Sequence, residues 1–144
     1  MLYTNQKAKY LLFLAFLVVL THNIFSQSQD TISKCAKDLE STTPEIRQQA
    51  AMILGKYEEP FTTDLLLKHL NDESNLVRRA VLVSLQDRIQ KRMVSITSMT
   101  QIVDLLEDKD VEVRRLASTS AQFFINILLQ NNANNYSQRP NPSR

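Results

Sequence analysis

The side chains best suited to proton transfer, nucleophilic attack or metal binding are few in this chain. Once residues 1–26 are set aside as a leader, His69 is the only histidine and Cys35 the only thiol. Neither has a partner at a spacing that marks a nucleophile–base pair or a ligand set. There is no Gly-rich phosphate loop, no Gly-x-Ser-x-Gly and no His-Glu-x-x-His. Carboxylates are plentiful, but they fall in turns and on polar helix faces, where a solvated surface is the expected reading. The chain is therefore read as non-enzymatic, with no cofactor and no metal site. A lone cysteine cannot close an internal disulfide. Cys35 falls at an apolar helical position, where a small buried residue is expected. A reactive or intermolecular thiol is the alternative.

What remains is a set of arginines at repeating positions. Arg47, Arg78 and Arg114 stand 31 and 36 residues apart. Four residues before each is a good N-cap type, Thr43, Ser74 and Asp110. Pro44 follows the first of them, at the helical position that tolerates proline best. Just before each arginine is a β-branched residue: Ile46, Val77 and Val113. The apolar stripe continues with Ala50, Val81 and Ala117, then Leu54, Leu85 and Ala121. That is the i, i+4, i+8 pattern of a helix facing a core.

The agreement continues upstream. Leu39, Leu70 and Leu106 stand eight residues before the arginines; Cys35, Leu66 and Ile102 stand twelve before; Ala36, Leu67 and Val103 eleven before. Each unit thus reads as two helices joined by a short polar turn: 31–40 with 44–57, 62–70 with 75–92, and 97–107 with 111–129. One hairpin of this size cannot bury its apolar faces alone, so the hairpins must stack.

The segments Asn71-Asp72-Glu73-Ser74-Asn75-Leu76-Val77-Arg78-Arg79-Ala80 and Glu107-Asp108-Lys109-Asp110-Val111-Glu112-Val113-Arg114-Arg115-Leu116-Ala117 resemble HEAT repeats. They are most similar to the short variety of phycobilisome-lyase-like proteins, over roughly residues 31–129. The resemblance implies an all-α fold, an α-α superhelix of about three helical hairpins. It also implies a polar ladder between repeats, built from a turn aspartate and an arginine of the second helix. Asp72 with Arg78 and Asp108 with Arg114 stand at the matching spacing of six. The first unit departs from the pattern, with Ser41 in the place of the aspartate before Arg47, as expected of a terminal repeat. A turn carboxylate can accept backbone N–H groups at a helix start and also meet an arginine of the adjacent unit. Lyase activity does not follow, because the repeats there are scaffolding. Some HEAT-like proteins are DNA glycosylases, so the arginine pairs have a second reading as a phosphate-binding stripe, with Arg79 and Arg115 as its free members.

The N-terminus reads as a targeting segment. Lys7 and Lys9 precede an apolar run of 11 residues, Tyr10 to Leu20, and Thr21-His22-Asn23-Ile24-Phe25-Ser26 leads to Gln27. This is the order of a cleavable signal peptide, with the cut placed after Ser26. The run is shorter than the roughly 18 residues of a spanning helix; an uncleaved anchor is the alternative. The segment before Cys35 does not resemble a lipoprotein processing site. Removing residues 1–26 takes two of the 17 basic residues and none of the 15 acidic ones, so the remaining chain is formally neutral. Neutrality and export argue against a nucleic-acid partner. Gly55 is the only glycine, which disfavours a β-rich fold with many turns of positive φ.

At the other end, Phe123, Phe124, Ile125, Ile127, Leu128 and Leu129 close the last helix with apolar residues nearly all round, so part of that surface is expected to meet something else. Residues 130–144 read as a disordered tail, and its Asn135-Tyr136-Ser137 sequon as a coincidence. The expected function is an extracytoplasmic scaffold, periplasmic or secreted, that binds a protein. Its expected face is the solvent side of the second helices: Gln48 and Met52, then Arg79, Val83 and Gln86, then Arg115, Thr119 and Gln122. Fold analogy carries this reading. A polyanion or nucleic-acid binder using Arg79 and Arg115 is the alternative.

Overall fold

The computed structural model describes residues 2–137, in helices α1 (Leu2–Asp38), α2 (Pro44–Leu54), α3 (Pro60–Lys68), α4 (Asn75–Gln90), α5 (Ile96–Asp104) and α6 (Val111–Ser137). A 3-10 turn, Leu105–Glu107, follows α5, and no strand occurs among the described residues. The chain divides into two units, one ending at Lys34 and one starting at Cys35.

The first unit is the long leading part of α1. Its apolar stretch from Tyr10 to Leu20 is exposed. The helix does not stop at Thr21-His22-Asn23, because polar residues without proline or glycine do not end a helix that is already propagating. It contains a stretch long and apolar enough to cross a membrane, with a mean hydropathy of 1.6. A leader and an anchor both satisfy that length and hydropathy, so the helix alone does not separate them.

The second unit is three stacked hairpins. The end of α1 precedes α2 as the first helix of the first hairpin; α3 pairs with α4 and α5 with α6, while α2 lies against α4 and α4 against α6. Fold class and hairpin order are those expected, an all-α superhelix. Cys35, Leu66 and Ile102 are buried, as are Leu39 and Leu70, Val77 and Val113, and the stripe Ala50, Val81 and Ala117. Ala36, Leu67 and Ala121 are half-buried, and three positions are exposed. Ile46 is 42% exposed, since it lies at the first turn of the terminal hairpin's second helix. In the third hairpin Leu105, not Leu106, enters the core: the 3-10 turn advances the register by three residues rather than four after Ile102. Val103, expected inward, is exposed, because no fourth hairpin covers it among the described residues.

At the C-terminal end a disordered tail is expected from residue 130. No glycine or proline interrupts Gln130–Ser137, and α6 carries through it as helix. Residues 138–144, the rest of the expected tail, lie outside the described residues.

Two joints are made with unusual residues. After α4 the chain closes with Arg92 in the left-handed region, φ 59°. The Met93 N–H reaches the Arg88 carbonyl at 2.8 Å and the Arg92 N–H that of Ile89 at 3.0 Å, a Schellman closure without glycine. Gly55, at the end of α2, has an ordinary φ of −56° and is required for a different reason. A Cβ there would lie 2.6 Å from Ser84 Oγ, 2.8 Å from its Cβ and 3.2 Å from its Cα on α4. The two second helices meet backbone to backbone at this point, and Ser84 Oγ donates to the Ala51 carbonyl at 2.9 Å. Gly55→Ala therefore lowers stability by about 1–3 kcal/mol through overpacking, measurable as a lower midpoint in thermal or urea denaturation.

Candidate functional site

The turns between first and second helices carry a repeated piece of polar geometry. Ser41 Oγ accepts the Thr43 N–H at 3.2 Å, Asp72 Oδ1 the Ser74 N–H at 2.9 Å, and Asp108 Oδ1 the Asp110 N–H at 2.8 Å. Each of these residues fixes the entry to a second helix from two residues upstream. Thr43 and Ser74 consequently make no side-chain cap of their own, contrary to expectation. Asp110 does cap α6, accepting the N–H groups of Glu112 and Val113 at 3.0 and 2.9 Å.

The ladder arginines enter this frame from both sides. Arg47 donates Nη1 to the Ser41 carbonyl at 2.8 Å, while Nε and Nη2 grip the Asp72 carboxylate of the next hairpin at 2.8 and 2.7 Å. Arg78 repeats the arrangement. Nη1 goes to the carbonyls of Asp72 and Glu73, and Nε and Nη2 both reach Asp108 of the next hairpin at 2.7 Å. The spacing of six within a repeat therefore marks a contact to the aspartate's carbonyl; its carboxylate belongs to the preceding repeat's arginine. The first hairpin, degenerate by its Ser41, still supplies a full rung through Arg47. Arg114 makes only the first half, donating Nη1 to the carbonyls of Asp108 and Lys109 at 2.7 and 3.2 Å. Among the described residues it meets no carboxylate.

These rungs are buried, with side-chain exposures of 5 to 8%. Burial pushes the Asp72 carboxyl up, but the Arg47 hydrogen bond, the Ser74 N–H and the Arg47 charge outweigh it and hold the group below its ordinary value. The Arg78 hydrogen bond holds Asp108 below its ordinary value as well. Asp110 is held furthest down, first by Arg79, then by the Val113 N–H and the Asn75 amide.

Arg79 is not the free surface residue expected. It donates Nε to Asp110 of the next hairpin at 3.0 Å and closes a second contact through Nη2. The reason is the position of Asp110, which serves as helix cap and counter-ion together. Arg115 is exposed and pairs within its own helix, with Glu112 at 2.6 and 2.9 Å. Both guanidinium groups are thus already neutralised, unlike those of an open phosphate-binding stripe.

Arg88, on the inward side of α4, carried no signal in the repeat pattern. It is fully buried and donates Nη2 to the carbonyls of Leu54 and Tyr57, and Nη1 to Thr63 Oγ1. It satisfies carbonyls at the end of α2 from the next hairpin. Burial lowers its pKa from the ordinary arginine value. A polar residue at an i+4, i+7 core register beside Leu85 and Val81 was the only available clue.

Of the remaining face residues, Met52 and Val83 stand 52 and 50% exposed, five residues after Arg47 and Arg78, and Gln122 is exposed. Gln48, Gln86 and Thr119 are half-buried beside them. Cys35 is buried, as expected. His69 lies 3.7 Å from Glu40 and 3.9 Å from Asp72, at the edge of the first rung. No group of three or more metal-ligating side chains comes together among the described residues.

Stacked hairpins of two helices, tied by an arginine–aspartate ladder at the turns, define an α-solenoid. Residues 32–122 match the protein-family profile of HEAT repeats, and the chain belongs to that family. A search of curated proteins finds no match to the sequence. HEAT repeats commonly serve as protein-interaction scaffolds.

Two outcomes follow from the ladder. Arg47→Ala or Arg78→Ala strands a buried carboxylate and costs about 3 kcal/mol. Arg114→Ala loses only hydrogen bonds to carbonyls and costs about 1 kcal/mol; chemical denaturation of the three variants gives the comparison. The pH response has a definite sign. Asp72, Asp108 and Asp110 all titrate below their ordinary 3.8 when folded, so their contribution is complete above that value and lost as pH falls beneath it. The melting temperature holds level down to about pH 5 and drops below about pH 4, and Asp108→Asn makes that drop shallower.

Proposed function

We propose that this chain is an exported, non-catalytic HEAT-repeat scaffold of the short, phycobilisome-lyase-like variety, binding a partner protein along its second helices. The observation that carries this reading is the exposure of Met52 and Val83 at the same register of α2 and α4, among half-buried amides. Apolar side chains in line across adjacent repeats, rimmed by Gln48, Gln86, Thr119 and Gln122, suit a moderate protein-binding surface. Arg115, exposed and paired with Glu112, lies at one end of it. Arg79 sits at the edge of this face, held by Asp110, and contributes through the stack's rigidity more than through free charge.

Export is supported by the basic and apolar order of the first 26 residues and by the exposed Tyr10–Leu20 surface, which a translocation pathway or a lipid phase would cover. The resulting location is the periplasm in a two-membrane cell, or the medium otherwise.

Mass spectrometry of the native N-terminus gives a chain starting near Gln27; intact Met1–Leu20 in a carbonate-resistant membrane fraction would replace the leader with an anchor. For the binding face, the protein is used as bait in its own envelope fraction beside a Met52→Glu/Val83→Glu variant and an Arg115→Glu variant. A partner retained by the wild type and lost from the double variant, with melting unchanged, is the expected result. An identical set of captured proteins from all three baits overturns the face.

A further inference from the structure

The third hairpin ends the stack with the same side that the second hairpin keeps closed. In α4, Leu82, Leu85 and Ile89 follow Arg78 by 4, 7 and 11 residues, on one helix face, and all are at most 1% exposed. Their counterparts in α6 are Ser118, exposed, Ala121, half-buried, and Ile125, 48% exposed. With Ala121 in the place of Leu85 there is a groove of about 410 Å³, lined by Ile96, Met99 and Val103 of α5 and by Ala121, Phe124 and Ile125 of α6, together with Thr100 and Asp104. At the turn end of the same α6 face stands Arg114. Its Nη1 is already held as in Arg47 and Arg78, while its Nε and Nη2 meet no carboxylate among the described residues.

We propose that this end docks a helical hairpin of a partner protein, stacked as a fourth repeat, with an aspartate in its connecting turn. The carboxylate closes the third rung on Arg114, and the apolar side of the hairpin fills the groove. The two completed rungs specify that chemistry: each arginine fork is received by an aspartate whose Oδ1 also takes the N–H two residues on, at the start of a second helix. A lone helix has no such turn. A second copy of this chain stacked head to tail brings Ser41 to that place, which has no charge to offer. The inference rests on the scaffold reading but uses a different surface from the Met52–Val83 face.

The test uses the full chain throughout. A labelled Ser41→Asp/Ile125→Glu chain is the surrogate: its first turn gains the carboxylate and its own groove is blocked. It is titrated with the unlabelled chain by fluorescence anisotropy. Saturable binding is expected, weakened at least tenfold by Arg114→Ala in the unlabelled chain or by restoring Ser41 in the labelled one. The two changes together are no worse than either alone, as for a single shared contact. Ile125→Glu in the unlabelled chain, at an exposed position that leaves melting unchanged, abolishes binding. Met52→Glu/Val83→Glu there leaves it intact, so failure of the outer face and failure of this end are told apart. Absence of saturable binding, or binding indifferent to both residue 41 and Ile125→Glu, overturns the proposal. Sedimentation that shows self-association removed by Ile125→Glu also overturns it, placing a second copy on this end.

Discussion

Two charges of opposite sign, shared between neighbouring hairpins and shut away from water, decide how this stack is built. Desolvating a guanidinium and a carboxylate is costly, and the cost is recovered only where every donor and lone pair is used. Arg47–Asp72 and Arg78–Asp108 meet that condition. Each arginine spends one nitrogen on its own turn and two on the next hairpin, and each aspartate gives an oxygen back to a backbone N–H. Because turn, helix start and neighbour are tied through the same side chains, no one of them can shift without leaving a buried charge unpaired. The apolar stripes supply the bulk of the burial. They are tolerant of sliding in a way that a two-point grip is not, so the ladder sets the register and the stripes fill it.

The repeat was legible because it obeys one rule three times. Positions such as Cys35, Leu66 and Ile102, or Ala50, Val81 and Ala117, answer to a single period and a single environment, and all are buried. Legibility failed where a residue answers to two environments. Asp110 caps α6 and also holds Arg79, so the spare arginine of a repeating pair proved to be a bridge. Ser41 lacks the charge of Asp72 but keeps its turn contact, so a hairpin that looks degenerate at one position is intact at the next. At the ends of the stack the period persists while the neighbour is missing, which exposes Ile46 and Val103. The outer face has no such rule behind it: which polar side chains stand out follows from the packing beneath them.

Arg88 illustrates a further limit. A buried arginine reads in sequence as an interruption of a core stripe, and only the carbonyls of Leu54 and Tyr57 at the end of α2, in the preceding hairpin, explain it. Its role depends on where another helix stops, and that stop is fixed by Gly55 and the close approach of Ser84.

The same arginine makes the two junctions of the stack mechanically unequal. Between the first and second hairpins there are fastenings at both rims: Arg47 with Asp72 at the turns, and Arg88 with the carbonyls of Leu54 and Tyr57 at the far ends of the helices. Between the second and third, Arg78 and Arg79 fasten the turn rim, but the residue of α6 in the place of Arg88 is Phe124, which has no donor. Ser120, the counterpart of Ser84, is buried with its hydroxyl unsatisfied among the described residues, where Ser84 holds the Ala51 carbonyl. A solenoid fastened this way has one stiff joint and one that is clasped along a single rim. Bending it loads the unclasped rim of the second joint first, so the third hairpin swings about the ladder as a leaf swings about its spine, while the first two move as one plate.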